Sequence, residues 1–412
     1  MTWRRAGFLF LLILTVSFPL FGADFNDIYA DAAGQFDFLQ DPNTGLTVFP
    51  ILTIPLGGEY EGMGTAYTAV ARDSSFFDAN PAASSMLKYS ELSVMHNNWI
   101  ADTNIEGVVY TNRRDKLGYA FAGKFLYVPF TGYNYWGERT STGYYSETIA
   151  IANVSRNFFA DYYFSGISVG ANLKAAYRHV SENIAAGQSA FGVMADVGML
   201  TRFDFLKPYY SRDKNAAFGM TIKNIGPNVM GEPLPMSLTT GIAYSFFRPW
   251  ILALDVNMPF SFNQKDYPAE KPGGALGSTI SVTDFFSVQA GFLIKGGNPR
   301  ISVGSLINMS DFSLVVNYTM DMTTQLSNLD RFSVAMKINL GDNGREERYQ
   351  MATDLYLEGV DFYARGDIAQ AISSCEKALE IDPDYSPARE TINMARRARD
   401  LQTRMEEIQR LE

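Results

Sequence analysis

Cysteine occurs once in the 412 residues, at Cys375, and histidine only at His96 and His179. A single thiol closes no intramolecular disulfide, and neither a CxxC redox pair nor a cysteine-rich zinc site can be written, so no metal site is read. The two histidines lie in different segments with no serine motif beside them, which leaves little material for nucleophilic catalysis; the chain does not read as an enzyme. Charged residues make up only 19%, with a formal net charge of -10. Nucleic-acid binding needs clustered cations to displace phosphate counterions, so no nucleic-acid partner is expected. At 47% hydrophobic and 14% aromatic, the composition is also unlike that of a disordered chain. No motif calls for a cofactor.

What is present begins with a leader. Arg4 and Arg5 precede an apolar run over residues 8–21, then the small pair Gly22-Ala23 and Asp24. This reads as a secretory signal peptide, residues 1–23, because the run is shorter than the ~20 residues of a membrane span. No cysteine lies near the cut, which excludes a bacterial lipoprotein anchor. The mature chain is expected to start in the periplasm of a bacterium. Losing Arg4 and Arg5 takes its net charge from -10 to -12.

The charged fraction rises from about one residue in six over residues 24–341 to more than one in three over residues 342–412. That shift marks a domain boundary, with Gly341-Asp342-Asn343-Gly344 as linker. Beyond it, Leu355, Gly359, Phe362, Ala371, Cys375, Ala378 and Pro383 fall at a spacing that puts small residues where two antiparallel helices touch. The set resembles a tetratricopeptide repeat (TPR), with Gly366-Asp367 as the inter-helix turn and Asp382-Pro383 closing the second helix. A long charged helix over residues 386–411 would cap it. One repeat plus a cap is a small core, so the tail is expected to dock on something or to be mobile.

Residues 89–341 carry a period of two. Phe332, Val334, Met336, Ile338 and Leu340 alternate with Ser333, Ala335, Lys337 and Asn339, and similar runs recur at 167–177, 250–258 and 286–294. Such alternation specifies strands with one oily face. Segments between turn signals fall near 91–100, 104–112, 116–127, 145–156, 164–180, 189–203, 215–224, 237–247, 250–260, 274–282, 285–294, 299–308, 311–319 and 331–340. Most match the ~9–11 residues a tilted strand needs to cross a bilayer, and aromatics crowd their ends, as at Phe158-Phe159, Tyr162-Tyr163-Phe164, Tyr209-Tyr210, Phe246-Phe247 and Phe285-Phe286. The expected fold is an all-β transmembrane barrel of about 14 antiparallel strands in outer-membrane lipid. A soluble sandwich or propeller would leave too much apolar surface in water.

A barrel of that size needs a water-filled or plugged lumen. Residues 24–88 precede the first strand and are the candidate plug, an N-terminal lumenal hatch. Within them Gly62-Met63-Gly64-Thr65-Ala66-Tyr67 continues to Ala69-Val70-Ala71, Asp73 and Asn80-Pro81-Ala82. Glycines permit positive φ and close packing, and Asn-Pro forms turns. This stretch resembles the hatch of the FadL family of outer-membrane hydrophobic-substrate transporters and of the related PorV/PorQ barrels. A FadL-like barrel with a TPR-like tail also resembles an uncharacterised spirochaetal outer-membrane family. One departure is that the last strand ends at Leu340, whereas family members whose barrel closes the chain end on an aromatic residue.

The resemblance implies passive uptake of hydrophobic molecules, in particular long-chain fatty acids, through a hatch-gated barrel with ligand pockets near its extracellular end. The hatch motif Gly62, Gly64, Asn80, Pro81 and Ala82 would then gate the lumen or only hold the plug. An aromatic loop over residues 127–145, with Phe130, Tyr133, Tyr135 and Trp136, is a candidate ligand entrance. With an even strand number both termini face the periplasm, which places the TPR-like tail there. The alternative is a PorV-like anchor or shuttle whose tail recruits a periplasmic protein. The sequons at Asn153, Asn308 and Asn317 lie in strands and read as chance.

Overall fold

The computed structural model describes residues 41–99, 103–262, 268–296, 298–321 and 330–411. The expected signal peptide and residues 24–40 of the expected hatch lie outside them.

Fourteen strands form a closed antiparallel barrel. They are β1 (Glu91–Asn98), β2 (Asn104–Arg114), β3 (Leu117–Tyr133), β4 (Arg139–Phe158), β5 (Ile167–Val180), β6 (Ala190–Phe203), β7 (Ala216–Ile225), β8 (Ser237–Phe247), β9 (Trp250–Pro259), β10 (Gly273–Ser281), β11 (Phe286–Lys295), β12 (Asn298–Asn308), β13 (Phe312–Asp321) and β14 (Arg331–Asn339). Each pairs with its predecessor, and β1 closes on β14 with Glu91 opposite Asn339. Closure leaves no unpaired edge, a condition lipid imposes because it cannot hydrate free backbone groups. The closing pair Glu91 and Asn339 marks the near end; the far end holds the opposite set of turns.

Alternation decides which face each residue takes. On β5, Val169, Leu173 and Tyr177 point outward and are exposed, while Ser168, Gly170, Asn172 and Lys174 are buried in the lumen. Phe121 on β3 and Phe191 on β6 are likewise outward, at 58% and 63% exposure. Bulky apolar side chains so open belong in hydrocarbon, not water.

Two sequence expectations change. Residues 127–145 are not a loop: β3 and β4 stay paired through Thr131 opposite Thr142, with a bulge between Gly132 and Tyr133, and only residues 134–138 turn. The ladder satisfies backbone groups that a long loop would leave to water. Tyr162, read as part of an aromatic girdle, turns from the barrel rim into the tail and meets Tyr385 edge-on at 5.1 Å.

Inside the barrel run a 3-10 turn (Pro50–Leu52), helices α1 (Gly58–Gly62) and α2 (Phe76–Ala79), and a second 3-10 turn (Pro81–Met86). A one-turn helix α3 (Glu182–Ala185) caps a far-end loop, and α4 (Arg345–Arg365), α5 (Ile368–Ile381) and α6 (Ser386–Leu411) form the tail. The segment before α4 is tied down. The Asp342 carboxylate takes the N–H groups of Glu346 and Gly344, which holds it below the usual carboxylate range. Asn343 donates to the Arg113 carbonyl at 2.7 Å.

Gly359 sits where a Cβ would lie 2.5 Å from the Cys375 sulfur, and Ala371, Cys375 and Ala378 are buried along the same seam. Leu355 and Phe362 are partly buried, and Pro383 is exposed beyond α5. The tail is docked on the near end. Lys116 and Asp384 pair at 2.6 Å, Arg348 and Asp115 at 2.5 Å, and the Arg212 guanidinium lies 4.4 Å over the Tyr162 ring.

Candidate functional site

The amino-terminal segment fills the bore because the wall makes room for its backbone. At Gly291 of β11, Gly219 of β7 and Gly170 of β5, an added Cβ would run into the main chain of Gly64, Thr68 and Pro81 respectively. Gly198 of β6 likewise faces Asn80, Gly118 of β3 faces Ser84, and Gly277 of β10 faces Met63 with 2.7 Å to its carbonyl. Lumen-facing glycines, which weaken a strand locally, here permit close backbone approach.

Polar groups complete the seat. Asn80 donates to the Thr68 and Met199 carbonyls, both at 2.9 Å, and accepts the Ala82 N–H at 3.1 Å. Pro81 accepts from Asn153 at 2.9 Å, Ala82 from Ser168 at 2.5 Å, and Gly58 from Asn317 at 2.9 Å. Asn153 and Asn317, dismissed as chance sequons, are therefore wall ligands of the inner segment.

Inner acids meet wall cations: Asp78 pairs with Lys124 at 2.9 Å, Asp73 with Lys337, and Glu61 lies 3.9 Å from Arg331. Wall Asp255 accepts the Tyr67 and Thr68 N–H groups at 3.1 and 2.9 Å. Burial pushes the Asp73 carboxyl up, but Lys337 and the Ser75 and Tyr67 hydrogen bonds outweigh it and hold the group below its ordinary value.

The two motif glycines do different things. Gly64 has φ +60° and lies 2.7 Å, at its would-be Cβ, from the Phe292 amide nitrogen. Gly62 has no positive φ; its constraint is space, with Asn317 Oδ1 at 2.6 Å and Gln289 Oε1 also in the way. Of the positive φ and close packing that glycine permits, Gly64 uses both and Gly62 only the second.

A cavity of about 110 Å³ opens at the far end, between residues 43–68 and the ends of β7 to β11. Leu52, Leu234, Met236, Phe260 and Leu293 line it with the cations Lys223, Lys295 and Arg300 and the acids Asp255 and Glu270. Lys223 donates to the Asp78 carbonyl at 3.1 Å. Among the described residues neither lysine has a carboxylate within ion-pair distance. Phe130, Tyr133, Tyr135 and Trp136 do not meet this cavity. They lie on the far-end extension of β3 and its turn, and all are exposed, Tyr135 at 95%. The motif Gly62, Gly64, Asn80, Pro81 and Ala82 meets the wall and not the cavity. The cavity lysines were legible only as charges at lumen-facing positions of otherwise apolar strands. His96 faces outward and contacts Glu106 at 2.7 Å, and His179 stacks on Tyr144 at 4.8 Å.

Among solved structures, the chain is similar to the Pseudomonas putida toluene transporter TodX, with 12% identity and a TM-score of 0.47 over 68% of this chain and 96% of that one. It is also similar to a Pseudomonas aeruginosa FadL homologue, with 9% identity and a TM-score of 0.44 over 68% and 97%. A UPF0164 protein of Treponema pallidum (strain Nichols) is 28% identical over 409 residues, 95% of this chain and 93% of its own. A second from the same organism is 24% identical over 371 residues, 84% and 74% of the two chains. The model of the Uncharacterised protein family (UPF0164) matches residues 27–343, and the chain belongs to that family.

Proposed function

We propose that this protein is an outer-membrane conduit for hydrophobic molecules, foremost long-chain fatty acids, with its TPR-like tail in the periplasm. The observation that carries the reading is the far-end cavity, where apolar side chains of the inner segment and wall converge beside Lys223 and Lys295. Each buried methylene of an acyl chain gains roughly 0.8 kcal/mol, which a water-filled bore would not supply. The lysines suit a carboxylate head. At about 110 Å³ the cavity is below the ~300–1,000 Å³ of sites that enclose whole ligands. It accommodates a head group and the first carbons, and a full chain requires residues 46–53 to move aside.

The test is mass spectrometry of lipids extracted from the purified protein. Fatty acids should co-purify and fall on deletion of residues 24–60 or in Lys223→Gln/Lys295→Gln. A ligand-free preparation, together with fatty-acid uptake unchanged in cells lacking the protein, overturns it.

A second reading, an outer-membrane anchor that recruits a periplasmic protein, is favoured by the exposed Leu401, Met405 and Ile408 on α6. Their spacing makes one apolar stripe. A stoichiometric partner lost on removing residues 386–412 would support it.

A further inference from the structure

Between the tail and the near end of the barrel lies a chamber of about 1000 Å³. Two guanidinium groups converge in it. Arg113, at the end of β2, donates to the Leu87 carbonyl at 2.8 Å and to the Asp115 carbonyl at 2.9 Å. Arg345, the first residue of α4, reaches the same Leu87 carbonyl at 3.4 Å, the Lys88 carbonyl at 2.5 Å and the Asp342 carbonyl at 2.8 Å. Among the described residues, neither has a carboxylate within 4 Å.

Five of the six acids lining the chamber are engaged elsewhere. Asp342 caps α4, Asp161 takes the N–H groups of Tyr163 and Phe164, and Asp382 takes that of Asp384. Asp115 and Asp384 pair with Arg348 and Lys116. Glu346 is exposed and makes no ion pair among the described residues.

Two like charges drawn to one neutral carbonyl repel each other, and a carbonyl dipole does not neutralise them. An anion between them would relieve that repulsion, and planar guanidinium forks match carboxylate and phosphate groups. The chamber also presents Met86, Tyr89, Tyr349, Ile381 and Pro383. Its volume is at the upper end of the ~300–1,000 Å³ range of ligand sites.

We infer that Arg113 and Arg345 form an anion site that holds a carboxylate- or phosphate-headed amphiphile beneath the tail, on the near side of the plug. The inference rests on the transport reading for its ligand chemistry and adds a second station at which cargo leaves the barrel.

The test uses the full-length protein in a non-ionic detergent. Calorimetry reads binding of dodecanoate, dodecyl phosphate, dodecanol and inorganic phosphate, and a diazirine-bearing dodecanoate maps the site. Both anionic amphiphiles should bind, at least tenfold more weakly in Arg113→Gln/Arg345→Gln, with partial recovery in Arg113→Lys/Arg345→Lys. Photolabelling should reach peptides holding Tyr89 or Tyr349. Proteolysis at residues 341–344 reports whether the tail stays docked; if the double variant releases it, Arg113→Gln alone is measured. Unchanged affinity in the glutamine variant, dodecanol binding as tightly as dodecanoate, or inorganic phosphate binding as tightly as dodecyl phosphate overturns the inference. Labelling confined to residues 234–260 also overturns it while upholding the far-end cavity. Loss of the uptake claim with Tyr349 labelling intact strikes the transport reading alone.

Discussion

Replacing Gly64 by alanine should loosen the plug, and replacing Gly62 should do so less. At Gly64 the positive φ of +60° costs a non-glycine residue about 1–2 kcal/mol. The new methyl would also stand 2.7–2.9 Å from the Phe292 amide nitrogen, the Gly291 carbonyl carbon and the Gly291 Cα. Those are main-chain atoms of a paired strand, and overpacking of this kind adds about 1–3 kcal/mol. The sum is about 2–5 kcal/mol. At Gly62 there is no dihedral penalty, and the obstacles are the ends of the Gln289 and Asn317 side chains, whose displacement costs about 1 kcal/mol of rotamer strain and about 1 kcal/mol more where the Asn317 bond to Gly58 is lost. Protease protection of residues 41–88 in detergent-solubilised protein, with thermal unfolding beside it, measures both. Equal protection in the two variants, or a Gly62→Ala change larger than the Gly64→Ala change, would refute the argument from backbone contact.

Two further outcomes follow from the same geometry. Lys337→Met leaves Asp73 buried without its cation and should cost about 3–5 kcal/mol, with part regained in Lys337→Met/Asp73→Asn; a harmless single change would remove the clamp. Because the Asp73 carboxyl is held below its ordinary value of 3.8, its contribution is complete above that pH and is lost as pH falls through the lowered value, so plug protection in the parent protein should decline only in strong acid. Tyr385 touches the rings of Tyr162, Tyr349 and Tyr356 at 5.1, 5.9 and 5.5 Å. Tyr385→Ala should cost the tail about 3–5 kcal/mol and expose the linker to protease, whereas Lys116→Gln removes a pair worth ~1 kcal/mol or less. The reverse ranking would show that charge pairs, not rings, hold the tail.

The barrel was legible because lipid reads every second residue. Segment 237–247 coincides with β8, and 250–260 overshoots β9 by one residue. That periodicity ran out at β3 and β4, whose far-end extensions carry polar and aromatic residues with no single oily face. The seat of the plug was hidden for a different reason. Gly170 or Gly219 in a strand looks like a local weakness, and only a partner more than 80 residues away gives it purpose. Asn153 and Asn317 carried no signal of their own, and Tyr162 resembled any rim aromatic until Tyr385 was placed against it.

The glycine-lined wall has a consequence for biogenesis. Its points of touch are spread over β3, β5, β6, β7, β10 and β11, so seating the leading stretch and closing the ring are coupled events. A wall that registers around the leading stretch, as a sleeve forms around a mandrel, meets those contacts strand by strand, and the pairing of β1 with β14 is its seam.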